Sequence, residues 1–272
     1  MPVSGLSYQY TRKPPKHVVP RPNVIVRLCS IECCFGHPLD ECSLSGTEGG
    51  QGSFTDDLVG WGKICKRLHI WDYVVNFAHT LSPFPNFKVL RPNIRYFIEH
   101  GVTGIFEEGN NSVRETGELN LLRQYCLAKY LWDPDYEEDK AVNEFLTGYY
   151  GHAAASVRAY FDLIHDQITP DVHVHIYDSP HQPYMRAEVL DAADKIFDEA
   201  ESAADCDTIL QRVKTLRLSV RYARLCNTPA DDPKRAAEAE RFIADVRAAG
   251  INSYREGTKI PQVEDKIREG SI

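Results

Sequence analysis

Residues Val24–Cys33 (VIVRLCSIEC) form a run of β-branched and other apolar side chains in which Arg27 and Glu32 are the only charges. A run of this kind, without strict alternation, suits a central strand buried on both faces, as in a parallel sheet. Parallel strands need long crossovers, and the following sequence supplies them. Ser53 can cap a helix whose first turn holds Asp56 and Asp57 and whose apolar side runs through Phe54, Leu58, Trp61, Ile64, Cys65 and Leu68. A strand is expected at His69–Phe77. After Pro83 and Pro85 comes a helix with Pro92 near its first turn, Ile94, Phe97 and Ile98 on its apolar face, and Gly101 as its cap. Val102–Phe106 reads as the next strand and runs directly into Glu107-Glu108-Gly109. Upstream, Leu6–Thr11 alternates like a short strand and is followed by a proline-rich loop, while Gly46–Gly52 is turn-rich. The order β–loop–β–α–β–α–β predicts parallel strands with right-handed crossovers.

Beyond residue 115 the pattern turns helical. Leu119–Trp132 stops at Asp133-Pro134, Glu137–Tyr150 at Gly151, and Ala153–Ile168 before Pro170. His173–Tyr177 is a brief strand-like run, and three more helices are expected near 184–204, 206–225 and 233–249. The basic stretch Arg212, Lys214, Arg217, Arg221 and Arg224 reads as a contact with the acidic helix at 191–205. The expected fold is α/β, a partial (β/α) barrel with parallel strands followed by an α-helical domain. Its divisions are a half-barrel over 1–115, helices packing on it over 116–180, and a helical bundle and tail over 181–272. Four strands fall short of a closed barrel of eight, so the sequence reads as a C-terminal barrel half completed by a missing segment or a partner, or else as an open sheet.

The formal net charge of −8 argues against nucleic acid or an anionic membrane as partner, since both require clustered Lys and Arg. No apolar run approaches the roughly 20 residues that cross a bilayer, and Met1-Pro2-Val3-Ser4-Gly5 has no signal-peptide character. The eight cysteines are too dilute for a disulfide scaffold. Cys29, Cys33, Cys34 and Cys42 cluster in sequence. Cys33, His37 and Cys42 raise a zinc site, but their spacing matches no familiar four-ligand motif and no fourth ligand is evident. A disulfide from Cys33 or Cys34 to Cys42 fits an oxidising compartment, and packed thiols are the plainest reading. No metal and no cofactor is therefore expected.

Seven segments taken together resemble a known bacterial family: SYQYTRKPPK (7–16), NVIVRLCSIECCFGHPL (23–39), HIWDYVVNF (69–77), PFPN (83–86), GVTGIFEEG (101–109), LWDP (131–134) and EFLTGYYG (144–151). The family is a domain of unknown function in large carbohydrate-degrading proteins, often following a domain similar to the N-terminal domain of α-glucuronidases. The resemblance implies a TIM-barrel glycosidase fold, glycoside hydrolase activity and an oligo- or polysaccharide partner. Family members carry further barrel strands before the point where this sequence begins.

Glycosidic hydrolysis needs two carboxyl groups across the anomeric carbon, and barrels place such groups at the C-terminal ends of strands. Glu32, Asp72 and Glu107 qualify as the catalytic candidates. Each has a plainer alternative: a loop carboxylate for Glu32, a salt bridge from Asp72 to Arg27 or Arg95, a solvated loop acid for Glu107. In the resembled family the first acid of the Glu107-Glu108 pair recurs, which favours Glu107. Candidate sugar contacts are Trp71, Tyr73, Asn76, Tyr8, Tyr10, His37 and Glu108. In a regular strand, Trp71 and Tyr73 face away from Asp72. A non-catalytic carbohydrate-binding or structural remnant, with self-association through open sheet edges, is the competing expectation.

Overall fold

The computed structural model describes residues 1–42, 52–110 and 117–271; the turn-rich stretch Gly46–Gly52, apart from Gly52, lies outside them. Strands β1 (Val3–Ser7), β2 (Val24–Cys29), β3 (Leu68–Tyr73) and β4 (Val102–Glu108) form one parallel sheet in chain order. Helix α1 (Phe54–Ile64) lies between β2 and β3 in the chain, and α2 (Phe87–Glu99) between β3 and β4. A helical region follows, so the chain is α/β with a parallel sheet, as its strand and helix order implies.

The chain divides into two compact units. The first comprises Met1–Val75, Asn86–Gly109 and His173–Ile176 and holds the sheet; the second comprises Asn76–Pro85, Asn110–Val172 and Tyr177–Ile272. In the first, the register pairs Val26 with Leu68, Leu28 with Ile70, and Ile70 with Ile105. Because side chains alternate along a strand, these residues share one face, and Val26, Leu28, Leu68 and Ile70 are buried there. Phe54 of α1 and Phe97 of α2 meet edge to face at 6.4 Å. The opposite face carries Arg27, His69, Trp71 and Phe106 and is more open: Phe106 is 48% exposed. Gly104 makes room there, since a Cβ would lie 2.7 Å from the His69 ring.

Several boundaries differ from those read off the sequence. The first strand starts at Val3, and Gln9–Thr11 is a 3-10 turn, closed by the Ser7 hydroxyl donating to the carbonyls of Thr11 and Arg12. Strands β2 and β3 stop at Cys29 and Tyr73 although Cys33, Val74, Val75 and Phe77 are buried. Pro92 stands at the sixth position of α2, past its first turn. β4 extends through Glu108, so both acids belong to the strand. His173–Tyr177 is not a strand, but the Val174 carbonyl accepts a hydrogen bond from the Phe35 amide at 2.7 Å.

The second unit contains α3 (Asn120–Trp132), α4 (Glu138–Tyr150), α5 (Ala154–His165), α6 (Ala187–Ala203), α7 (Asp207–Asn227) and α8 (Arg235–Ala248). A hairpin, β5 (Ser253–Arg255) and β6 (Thr258–Lys259), and a last helix α9 (Glu264–Glu269) follow. This terminal segment is part of the packing: Tyr254, Ile260, Val263 and Ile267 share a core cluster with Leu218, Tyr222 and Phe242. The basic side of α7 is neutralised. Arg217 pairs with Asp194, Asp198 and Glu201, Arg224 with Asp191 and Asp194, and Arg221 with Glu238 and Asp245 of α8. No helix among the described residues is long and apolar enough to cross a membrane.

Candidate active site

The first unit brings two of the three candidate acids together. Asp72 in β3 and Glu107 in β4 are direct register partners. Adjacent strands lie about 4.8 Å apart, and both side chains emerge on the face occupied lower down by Ile70 and Ile105, near the C-terminal ends of their strands. Asp72 is buried and accepts a short hydrogen bond from the Ser30 hydroxyl. Ser30 directly follows β2, and its amide donates to the Trp71 carbonyl at 3.2 Å, which fixes it beside Asp72. Among the described residues no cation pairs with Asp72 or Glu107, and the buried Oε2 of Glu107 has no hydrogen-bond partner.

These surroundings set the protonation pattern. Burial raises Asp72 from 3.8 to about 6, against the opposing effect of the bonds from Ser30 and the Tyr73 amide. Burial, followed by the negative charge of Asp72, pushes Glu107 well above the usual carboxylate range. Two adjacent carboxyls shielded from water do not both ionise easily, so the pair holds protons more tightly than free carboxyls do and titrates as a unit. A buried acid in the second unit shows the contrast. Glu118 lies 3.5 Å from the Arg123 guanidinium, and its carboxyl, raised by burial, has a cation to oppose that shift.

Glu32 is placed differently. It follows β2 by three residues, and its carboxylate meets Arg12 at 3.1 Å. Arg12 is fully buried and also holds Asp57 at 2.8 Å and the Gly52 carbonyl at 2.5 Å, while the Trp61 indole donates to the Arg12 carbonyl. Glu32 keeps 16% of its side-chain exposure and is the solvent-facing end of this network. Neither Arg12 nor Ser30 figured among the sequence candidates. Their partners lie 20 to 45 residues away, so no local spacing announces them.

The proposed sugar contacts scatter. Trp71 and Glu108 lie on the face opposite Asp72, where the Trp71 indole donates to Glu108 at 2.6 Å and packs edge-on against Phe106 at 4.7 Å. Tyr73 shares that face and is buried. Asn76 belongs to the second unit, where it accepts from the amides of Ala78 and His79 and donates to the Asp178 carbonyl; it holds a turn. Tyr8 lies just outside β1 and Tyr10 is 84% exposed on the 3-10 turn, so they do not share a strand face. His37 lies in the loop after β2 beside Cys34, with Nδ1 3.4 Å from Sγ.

The family model described as Domain of unknown function (DUF4838) matches residues 2–162. The chain belongs to the DUF4838 family. The DUF4838 match spans the whole sheet and continues through α3 and α4 into α5, so Glu32, Asp72 and Glu107 all lie within it. No curated protein and no solved structure matches the chain.

Proposed function

We propose that this DUF4838 protein carries glycoside hydrolase chemistry on the C-terminal edge of its parallel sheet. The observation that carries the reading is the Asp72–Glu107 pair: two adjacent carboxyls with no counter-cation among the described residues, both raised in proton affinity by burial. A carboxylic acid kept neutral in this way is what protonation of a leaving glycosidic oxygen requires. In this reading Glu107 is the proton donor and Asp72 the anion that raises its affinity for the proton. Glu32 is the second carboxylate, serving as nucleophile or as base toward water. The family resemblance, which implies an oligo- or polysaccharide substrate, supports the same assignment.

The test is hydrolysis of a panel of aryl glycosides and plant or host polysaccharides by the wild-type chain and by Glu107→Gln. Loss of a general acid lowers the rate by about 10²- to 10⁴-fold, with least loss on aryl glycosides whose leaving group needs no proton. Full activity in Glu107→Gln removes Glu107 from the mechanism.

One observation favours a second reading. Glu32 is bound to Arg12, which also neutralises Asp57, and a carboxylate so engaged is a weaker nucleophile. If the chain binds oligosaccharide in calorimetry while cleaving none of the panel, a non-catalytic carbohydrate-binding role replaces hydrolysis. The outer strands β1 and β4 also suit self-association. Light scattering checks this: charged substitutions at exposed Val3 and Leu6 are expected to reduce any oligomer.

A further inference from the structure

The loop after β2 and the segment His173–Ile176 bring four soft donors together. Cys34 Sγ, Cys42 Sγ and one ring nitrogen each from His37 and His173 all lie within 4.8 Å of one another. Cys34 to His37 Nδ1 is 3.4 Å and Cys42 to His173 Nδ1 is 3.7 Å. With Zn–S near 2.3 Å and Zn–N near 2.0–2.1 Å, the edges of a tetrahedron are about 3.3–3.8 Å. Two of the edges are therefore already at the required length. The two imidazoles stand edge to face with centroids 5.1 Å apart.

The loop holds this arrangement through bonds of its own. The Phe35 amide donates to the Val174 carbonyl, the Leu39 amide to Asn93 of α2 at 3.0 Å, and the amides of Glu41 and Cys42 to the Pro38 carbonyl. The Gly36 amide donates to Cys34 Sγ at 3.3 Å. His175 turns the other way and meets the Cys33 carbonyl. Cys33 and His175 lie outside the cluster: the His175 ring is held at the Cys33 carbonyl, its centroid 6.5 Å from that of His173.

We propose that Cys34, His37, Cys42 and His173 bind one zinc ion as a closed tetrahedral Cys2His2 site. Four protein donors leave no open position for water, which makes the site structural. Two thiolates balance the charge of the ion, and binding releases the two thiol protons. The metal ties the loop carrying Glu32 to a segment more than 130 residues further along the chain. The function proposed above neither requires this site nor is required by it.

The test uses the full chain purified under reducing conditions without chelator. Metal analysis is expected to give about one zinc per chain, with a dissociation constant of about 50 nM or tighter. After stripping, cobalt(II) is expected to give the visible bands of a tetrahedral ion and sulfur-to-cobalt charge transfer. That spectrum needs no variant and so stands even if substituted chains fail to fold. Cys42→Ser and His173→Ala should each weaken binding at least tenfold, while Cys206→Ser, at an exposed site, leaves it unchanged. An octahedral cobalt spectrum without charge transfer, substoichiometric zinc, or a Cys34–Cys42 disulfide in chain isolated without reductant would overturn the proposal.

Discussion

Replacing Asp72 with Asn tests the charge state on which the active-site reading depends. Asp72 carries a folded-state pKa of about 6 against 3.8 for an ordinary aspartate. At 1.36 kcal/mol per unit, the fold favours the neutral acid over the anion by about 3 kcal/mol. The sign follows from linkage. A carboxyl whose folded pKa is raised costs nothing below pH 3.8, where both states bind the proton. It destabilises the fold progressively between pH 3.8 and 6 and carries its full penalty above that range. Asn keeps an oxygen for the Ser30 hydroxyl and carries no charge. Asp72→Asn is therefore expected to stabilise the first unit by about 1–3 kcal/mol at pH 8, the upper figure being reduced by imperfect accommodation of the amide. The gain should shrink toward zero near pH 4. Urea unfolding followed by tryptophan fluorescence measures this. In a Trp132→Phe background the signal comes from Trp61 and Trp71, both in the first unit, and Trp132 is 91% exposed, so its removal is mild. A destabilisation of equal size at pH 4.5 and pH 8 would refute the reasoning, because it would make Asp72 a hydrogen-bonding and packing residue with no charge to relieve.

Other outcomes follow from the same structure. Arg12→Met should cost about 3–5 kcal/mol, since it leaves Asp57 and Glu32 without their shared cation; denaturant midpoints check it, and Asp57→Asn in the same chain should recover part of the loss. Gly117→Ala should cost about 2 kcal/mol or more, because Gly117 has a φ of +98° and a Cβ there would sit 2.7 Å from the Thr80 carbonyl oxygen; thermal unfolding reads this out. Burial lowers His79 to about 4, so the ring costs the second unit nothing above pH 6.5 and destabilises it progressively as pH falls from 6.5 to 4. Comparing the acid limb of the stability curve with that of His79→Gln tests it.

The sheet was legible because its signals are local. The run Val24–Cys33 and the segment around Asp72 announce strands through composition, and period-two alternation placed Asp72 opposite Trp71 before any coordinates. Strand ends were less legible, because burial continues where pairing stops. Val74, Val75 and Phe77 are as buried as strand residues, yet they lie beyond the ladder. The hairpin and α9 after residue 250 carry only scattered apolar residues, each buried by a partner far away in the chain. The cysteine cluster shows the same limit. The sequence offered Cys33, His37 and Cys42 and lacked a fourth donor. The cluster takes Cys34 in place of Cys33, and its fourth member is His173, whose approach depends on the Phe35–Val174 backbone bond and leaves no trace in local spacing.

The three acids near the C-terminal ends of β2, β3 and β4 occupy three electrostatic situations within one unit. Glu32 has a guanidinium, Asp72 has a hydroxyl and an amide, and Glu107 has no donor to its buried oxygen among the described residues. A protein that needed these carboxyls only for stability gains nothing from the last arrangement, since an apolar side chain of similar size would fill the space without a desolvated acid. Glu118 of the second unit also has buried carboxyl oxygens without a hydrogen-bond partner among the described residues, but it has a cation, Arg123, 3.5 Å away. Burial raises the proton affinity of Asp72 and pushes that of Glu107 well above the usual carboxylate range, and acid–base work draws on such perturbed groups. Burial raises both carboxyls and the Asp72 charge adds to the shift at Glu107, so Asp72→Asn should relieve the cost at Asp72 while lowering the proton affinity of Glu107 only in part.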